Sequence, residues 1–501
     1  MHYKQGIPRD QLFLFSNCLD EIIPEDNPVR VIDVYVENLD IAKLGFKIPQ
    51  LKTGTPPYRP AVLLKIYIYG HFERIRSSRR LENECNRNQE MKWLTEGLAP
   101  DFKTIADFRK NNRQGINNIF KEFLLFCHSM DLISLETTAV DGSKMRAQNS
   151  QNNIYKRETI DKVREKIQKK IEEYLEELDI NDEKEANDIK LDNNEVKEIV
   201  EKLKKLKKHK SKVGEIKKKF EGDKELQIYF ATDKDSRFQS DNGKIRAGYN
   251  VQIAGDNKNK LLIANDVTND GNDKNQLKPM VRKVENIKQE LEIKNKTELG
   301  ADAGYYSEKN IIENINDKSI EVTVPRPKDV KTKEKTGRSK KNKVPAPGYE
   351  IDDFVYDKER GVYICPRGKK LVKTHKNPST EKSGRKVFEY HCSDCKNCKK
   401  RHLCTKNKKG RCIRVSVNKA KIDNYLKRMQ TDEKKKIVSK RKEIIEHPFG
   451  TIKRSFGFTY FMQKGVEKVK SEFSFICFIY NLKRVLNIVP VKELMVALNK
   501  G

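Results

Sequence analysis

The chain lacks the features that mark export, membrane insertion or disulfide scaffolding. Its opening residues, Met1-His2-Tyr3-Lys4-Gln5-Gly6-Ile7-Pro8, have no basic start, apolar stretch or small-residue cleavage site of a secretory signal. Long apolar runs are missing too. The most apolar late segment, Phe473 to Leu482, is closed by Lys483-Arg484, well short of the roughly 20 residues a membrane-spanning helix needs. These absences lead to the expectation of a cytoplasmic protein with no membrane partner. Acidic residues are in deficit, 73 against 104 Lys+Arg, so the 501 residues carry a net charge of +31. Such a surplus suits a polyanionic partner. Cysteines are sparse except in one place, with six of the ten lying between Cys365 and Cys412. In a cytosolic chain that clustering points to metal rather than to disulfides.

What is present suffices for a folded protein of two to four domains. The 36% hydrophobic content is too high for wholesale disorder. The excess charge is uneven. Residues 151 to 224 are dense in charge but hold 21 basic and 19 acidic residues, which marks a solvated surface. Residues 327 to 424 hold 29 basic against 11 acidic, more than half of the net charge, and residues 41 to 80 hold nine against one. Any single lysine is best read as surface decoration. Two concentrated excesses are better read as a footprint for phosphate.

Periodicity divides the chain. Residues 1–130 read as helical: Val62, Leu63, Ile66 and Tyr67 recur at helical spacing, and further starts follow at Ser77-Ser78 and at Pro100-Asp101. Short helices with exposed arginines suggest a helix-turn-helix reader of DNA, although most such groups are packing units. Leu132 to Asp141 reads as a strand that Gly142 stops, and 157–224 as a helical hairpin inserted after it. Strands are expected at Gly248–Gly255, Leu261–Asn265, Thr297–Ala301 and Ile320–Pro325, and helices at Asn275–Glu292 and Glu308–Ile315. A basic linker reaches to about Tyr349.

Two acids stand beside glycine at expected strand exits: Asp141 in Ala-Val-Asp-Gly-Ser-Lys and Asp302 in Gly-Ala-Asp-Ala-Gly-Tyr. A third candidate, Glu446, lies four residues after Lys442 and seven before Lys453, which puts the three on one helical face unless Pro448 and Gly450 break the helix. Alone, each acid is better read as a turn or cap. Together, three carboxylates from distant segments can hold magnesium at a phosphodiester.

These segments resemble the DDE transposases of bacterial insertion sequences over most of the chain. The residues that carry the resemblance are Pro57 to Phe108 with Thr-Ile-Ala-Asp-Phe-Arg, Val140-Asp141-Gly142-Ser143-Lys144, Asp302-Ala303-Gly304-Tyr305, and Glu446-His447-Pro448-Phe449-Gly450-Thr451-Ile452-Lys453. The resemblance implies an α/β fold, an RNase H-like mixed sheet with flanking helices. Asp141, Asp302 and Glu446 would be its magnesium- or manganese-binding catalytic acids. Around the third acid the family shows Tyr, two residues, Arg, three residues, Glu, six residues, Lys. Here Ser439 and Lys442 take the places of Tyr and Arg, Arg441 is one position off, and Lys453 fits. Lys453, Arg441 and Lys442 are the candidate contacts to DNA phosphate.

The division that follows is a helical DNA-binding domain (1–130), catalytic core (131–156, 225–326 and 425–501), a charged helical insertion (157–224) and a basic linker with a cysteine-rich insertion (327–424). In that insertion Cys392, Cys395 and Cys398 form two overlapping C-x₂-C pairs, the spacing of tetrahedral zinc sites. Cys365, Cys395, Cys398 and Cys404 are the chosen ligands of a structural zinc ion, with Cys392 the nearest substitute. The expected activity is binding of terminal inverted repeats in double-stranded DNA, metal-dependent cleavage, and joining to target DNA by a DNA-bound homodimer at the nucleoid. A zinc-bearing regulator without catalysis, or a nuclease with the same core, is the rival.

Overall fold

The computed structural model describes residues 18–48, 56–186, 193–241, 243–314, 319–327, 349, 351–381, 384–399, 401–405, 407 and 409–500. Nearly all of the expected basic linker lies outside them.

The first 130 residues form helices α1 (Leu19–Ile22), α2 (Pro28–Glu37), α3 (Pro60–Phe72), α4 (Ser78–Arg87), α5 (Gln89–Leu94), α6 (Phe102–Asn111) and α7 (Arg113–Ser129). Local chemistry sets their starts. The Asn27 side chain accepts from the Val29 N–H at 2.9 Å with Pro28 at the first helical position, and Asp101 Oδ1 accepts from the N–H groups of Lys103 and Thr104 at 2.8 and 2.9 Å. Helix α3 is buried from Ala61 to His71. It is therefore a core helix.

The central sheet runs β4 (Arg237–Asp241), β5 (Lys244–Asp256), β1 (Thr137–Arg146), β7 (Thr297–Ala301), β8 (Ile320–Thr323), with β6 (Leu262–Thr268) also against β5. Strands β1, β5 and β6 are antiparallel neighbours, whereas β1, β7 and β8 are parallel, the mixed arrangement of an RNase H-like core. Strand β1 does not stop at Gly142. It continues against β5 to Arg146, because glycine needs no special backbone angle there.

Helix α14 (Asp432–Gly450) crosses one face of this sheet. It runs through Pro448 and continues as a π-helical turn over Thr451–Ser455, so the expected break is absent. Two glycines set its distance from the sheet. A Cβ at Gly255 would come within 3.0 Å of Ile444 Cγ2, and one at Gly300 within 3.3 Å of Ile437 Cγ2, so neither position admits a side chain without pushing the helix outward.

The inserted hairpin, α8 (Ile160–Ala186) and α9 (Asn193–Gly222), is flanked by β2 (Ile154–Lys156) paired with β3 (Ile228–Phe230), and it has its own small core. Helices α10 (Leu277–Glu290) and α11 (Glu308–Asn314) connect the core strands. A second six-stranded sheet carries the cysteines: β9 (Val355–Asp357), β10 (Val362–Ile364), β11 (Lys370–Lys373), β12 (Ser379–Thr380), β13 (Lys386–His391) and β14 (Cys412–Ser416), with α12 at Arg401–Cys404. Helices α13 (Lys419–Arg428), α15 (Val466–Leu486) and α16 (Val491–Lys500) complete the chain.

One apolar cluster runs from Ile23 to Leu498 and joins the N-terminal helices to the central sheet. Its centre is aromatic: Tyr35, Phe123 and Phe478 meet at ring-centroid distances of 5.2 to 5.8 Å. No single helix among the described residues is long and apolar enough to cross a membrane.

His71 is sealed in this core, with Nδ1 3.0 Å from the Tyr67 carbonyl and its ring edge-on to Phe475 at 4.8 Å. Burial, with the Arg76 charge nearby, drives its pKa down to about 3, so the folded imidazole is neutral while the unfolded one titrates near 6.5. Stability from this group is present above pH 6.5 and declines as pH falls toward 3. Between pH 7 and 5 a His71→Gln variant is expected to lose about 2 kcal/mol less than the parent. Urea unfolding at the two pH values checks this, and parallel losses would refute it.

Candidate active site

The site begins with strand register. Val140 is paired with Ala301 at the last rung of the parallel β1/β7 ladder, so Asp141, inside β1, and Asp302, just past β7, stand at one level. Side chains alternate along a strand, and Asp141 shares the face of Ala139, whose neighbours Gly255 and Gly300 touch α14.

Arg441 of α14 meets both acids. Its Nη1 lies 2.9 Å from Asp141 Oδ2 and its Nη2 3.8 Å from Asp302 Oδ1, with the arginine side chain only 9% exposed. Each acid also accepts from the backbone beside it, Asp141 from Gly142 N–H at 2.8 Å and Asp302 from Ala303 N–H at 2.6 Å. Burial raises the Asp141 pKa to about 6 and the Asp302 charge adds to it, against the downward pull of Arg441 and the Gly142 N–H. A buried carboxylate with a second one at its side calls for a cation.

Glu446 stands on α14 five residues beyond Arg441, ~7.5 Å along the axis and ~140° round it. Its side chain is exposed, as is that of Lys442. The structure thus joins Asp141 and Asp302 to each other through Arg441, and no described contact links Glu446 to them. Among the described residues no three His, Cys, Asp or Glu side chains form a ready-made metal group. The donor types still fit the expected ion: all are carboxylate oxygens, which hard divalent cations prefer.

On the opposite face of β1 lies a residue that the sequence reading missed. Asp273 Oδ1 accepts from Asn250 Nδ2 at 2.7 Å, from Gln252 Nε2 at 2.9 Å and from Lys144 Nζ at 3.5 Å. The Tyr305 hydroxyl donates to Gln252 Oε1. Burial, with Asp141, Asp273 and Asp302 nearby, holds the Tyr305 pKa far above its ordinary value, so it stays a donor. The signal was available: Asn250 and Gln252 are polar at alternate positions within the stretch Ala247–Gly255, which otherwise has no strongly polar residue, and both are fully buried.

Beside the acids opens a cleft of about 370 Å³ lined by Lys144, Arg146, Lys244, Arg246 and Lys453, with Asp241 as its one acid. Lys453 donates to the Lys144 carbonyl at 2.7 Å, and burial lowers the pKa of both lysines. Tyr460 lies close by, 43% exposed, with the guanidinium carbons of Arg76 and Arg146 5.1 and 5.8 Å from its ring centroid.

In the cysteine module, Cys365, Cys392, Cys395, Cys398 and Cys404 line one small cavity, whereas Cys412 is not part of its lining. Backbone N–H groups of Lys369 and Arg411 point at the sulfurs of Cys365 and Cys395, each at 3.3 Å. Burial and the Cys395 neighbour push Cys392 up to about 12, and burial raises Cys404, so in the metal-free chain these thiols keep their protons. Among the described residues these cysteines do not form a ready-made metal group. Their donor set nevertheless suits zinc.

Residues 17–111 match the family model described as a transposase domain, DUF772, and residues 364–486 match the one described as a transposase DDE domain. The second stretch includes Cys365 to Cys404, Arg441, Glu446 and Lys453, while Asp141 and Asp302 lie outside both. Searches of curated proteins and of solved structures returned no match.

Proposed function

We propose that this chain, a DDE-type transposase by the two transposase domains it carries, binds the terminal inverted repeats of its own insertion sequence, cuts at the repeat ends and joins the liberated 3′ ends to target DNA. The observation that carries the reading is the meeting of Asp141 and Asp302, at one level of adjacent parallel strands, around one buried guanidinium. Asp141, Asp302 and Glu446 would hold magnesium or manganese. When bound, the ion would supply Lewis-acid activation of water or of a 3′ hydroxyl.

The chain's own residues do the rest. Arg441 balances the charge of the two aspartates and keeps them aligned. Lys453 and Lys144 line the cleft where a phosphate backbone can lie, and their lowered pKa values rise when a phosphate arrives. Lys442, exposed beside the site, adds a further phosphate contact, and Tyr460 offers a ring face to a base. Cys365, Cys395, Cys398 and Cys404 would hold a structural zinc, with Cys392 as the substitute ligand, and so fix the most basic module against DNA. Two ends must be processed together, so the working form is a dimer on DNA.

The test is incubation of the full chain with labelled DNA carrying the sequences that flank its coding region, plus Mg²⁺ and a target plasmid. A nick exposing a 3′ hydroxyl at a repeat tip, followed by joined product, is expected. Retained DNA binding without any cleavage in Mg²⁺ or Mn²⁺ would make the protein a regulator instead.

A further inference from the structure

We infer that Asp273 is a positioning residue of the same centre, a fourth carboxylate that orients water around the divalent ion from the face of β1 opposite Arg441. The inference rests on the metal-dependent reading above. Asp273 follows β6 in the loop before α10 and appears in none of the sequence motifs.

One glycine admits it and a second faces it. A Cβ at Gly142 would stand 2.3 Å from Gln252 Nε2 and 2.6 Å from Asp273 Oδ1, which no real side chain can do. The glycine after Asp141 therefore lets the Asp273 carboxylate and its amide partners pass beneath the strand. The glycine two residues after Asp302 faces the same carboxylate at ordinary contact distance. The point where a Cβ on Gly304 would stand is 3.9 Å from Asp273 Oδ2 and 3.9 Å from Asp302 Oδ2. Both acid motifs thus carry a glycine that faces this one loop carboxylate.

The hydrogen bonding is lopsided. Its three donors among the described residues, Asn250, Gln252 and Lys144, all fall on Oδ1. That anchors the carboxylate and aims Oδ2 at the gap beside Asp302. Magnesium keeps several waters at about 2.1 Å and is held by few protein oxygens, so a fixed acceptor one water away from a ligand is what such an ion uses. Buried Gln252, Asn250 and Tyr305 form the scaffold of that acceptor.

The experiment is Mn²⁺ titration of the full-length protein, followed by electron paramagnetic resonance, alongside metal-free thermal unfolding. Asp273→Asn keeps an Oδ1 acceptor and is expected to weaken Mn²⁺ binding about 10- to 100-fold with the metal-free melting temperature unchanged. Gly304→Ala puts a methyl between the two carboxylates at ordinary contact distance and is expected to weaken binding while folding normally, which covers the case of an unstable Asp273→Asn. Parent-like Mn²⁺ affinity in both variants, with Asp302→Asn impaired, overturns the role of Asp273 alone. An unimpaired Asp302→Asn instead overturns the metal-dependent reading of the whole centre.

Discussion

Asp302→Asn protein is expected to bind its DNA within about twofold of the parent and to cut it at least about a thousandfold more slowly, the scale on which removal of one member of a catalytic unit acts. Asp302 is a cleaner target than Asp141. Its side chain is 49% exposed, its ion pair with Arg441 is 3.8 Å long, and the hydrogen bond from Ala303 N–H survives in the amide. Asp141 instead holds the buried Arg441 at 2.9 Å. Neutralising it leaves an uncompensated charge in the interior, a defect of about 3–5 kcal/mol that confuses catalysis with folding. The measurement is single-turnover nicking of a labelled repeat end beside a binding titration. Cleavage at the parental rate would remove Asp302 from the chemistry, and lost binding would assign it a structural role.

The second large effect concerns the cysteine module. Its apolar core is small: Phe354, Tyr363, Leu371, Tyr390, Cys392, Ile413 and Val415 are its buried members. A core of that size does not hold a domain together without a staple, least of all in a stretch with 29 basic residues against 11 acidic. Structural zinc contributes roughly 10–16 kcal/mol in small peptides. Protein purified without chelator is therefore expected to carry one zinc per chain. Cys395→Ser is expected to lose it, to open the second sheet to protease, and to bind DNA at least about tenfold more weakly because the lysines lose their fixed positions. Metal analysis by mass spectrometry with limited proteolysis decides. A zinc-free parent whose module resists protease would sink the assignment.

How far the sequence could be read depended on whether a feature was local. The core strands and helices from Gly248 to Pro325 were legible because alternation and helical spacing are written within a few residues, and the structure has them within a few positions. Asp141 and Asp302 stood out because each sits beside glycine, but the reason for the glycine was not legible. Gly142 does not end a strand; it clears space for Asp273, about 130 residues away. Arg441 was read as a misaligned phosphate contact because spacing along a helix says nothing about what the helix faces. Its partner is the sheet, not the solvent. Pro448 suggested a break, yet a helix end packed on a core tolerates a missing N–H where the ladder shifts to a π turn. The buried status of α3 was hidden for the same reason, since its cover comes from α2, α6 and α15.

The shared aromatic centre of Tyr35, Phe123 and Phe478 also sets a timetable. Phe478 leaves the ribosome some 350 residues after Phe123, which at about 5–20 residues per second is a wait of roughly 20 to 70 seconds. During that interval α3 and α7 are already made while the helix that covers them does not yet exist. Nascent chains must therefore spend this time with an oily surface open to chaperones and to one another, and the N-terminal helices can complete their packing only once α15 has emerged.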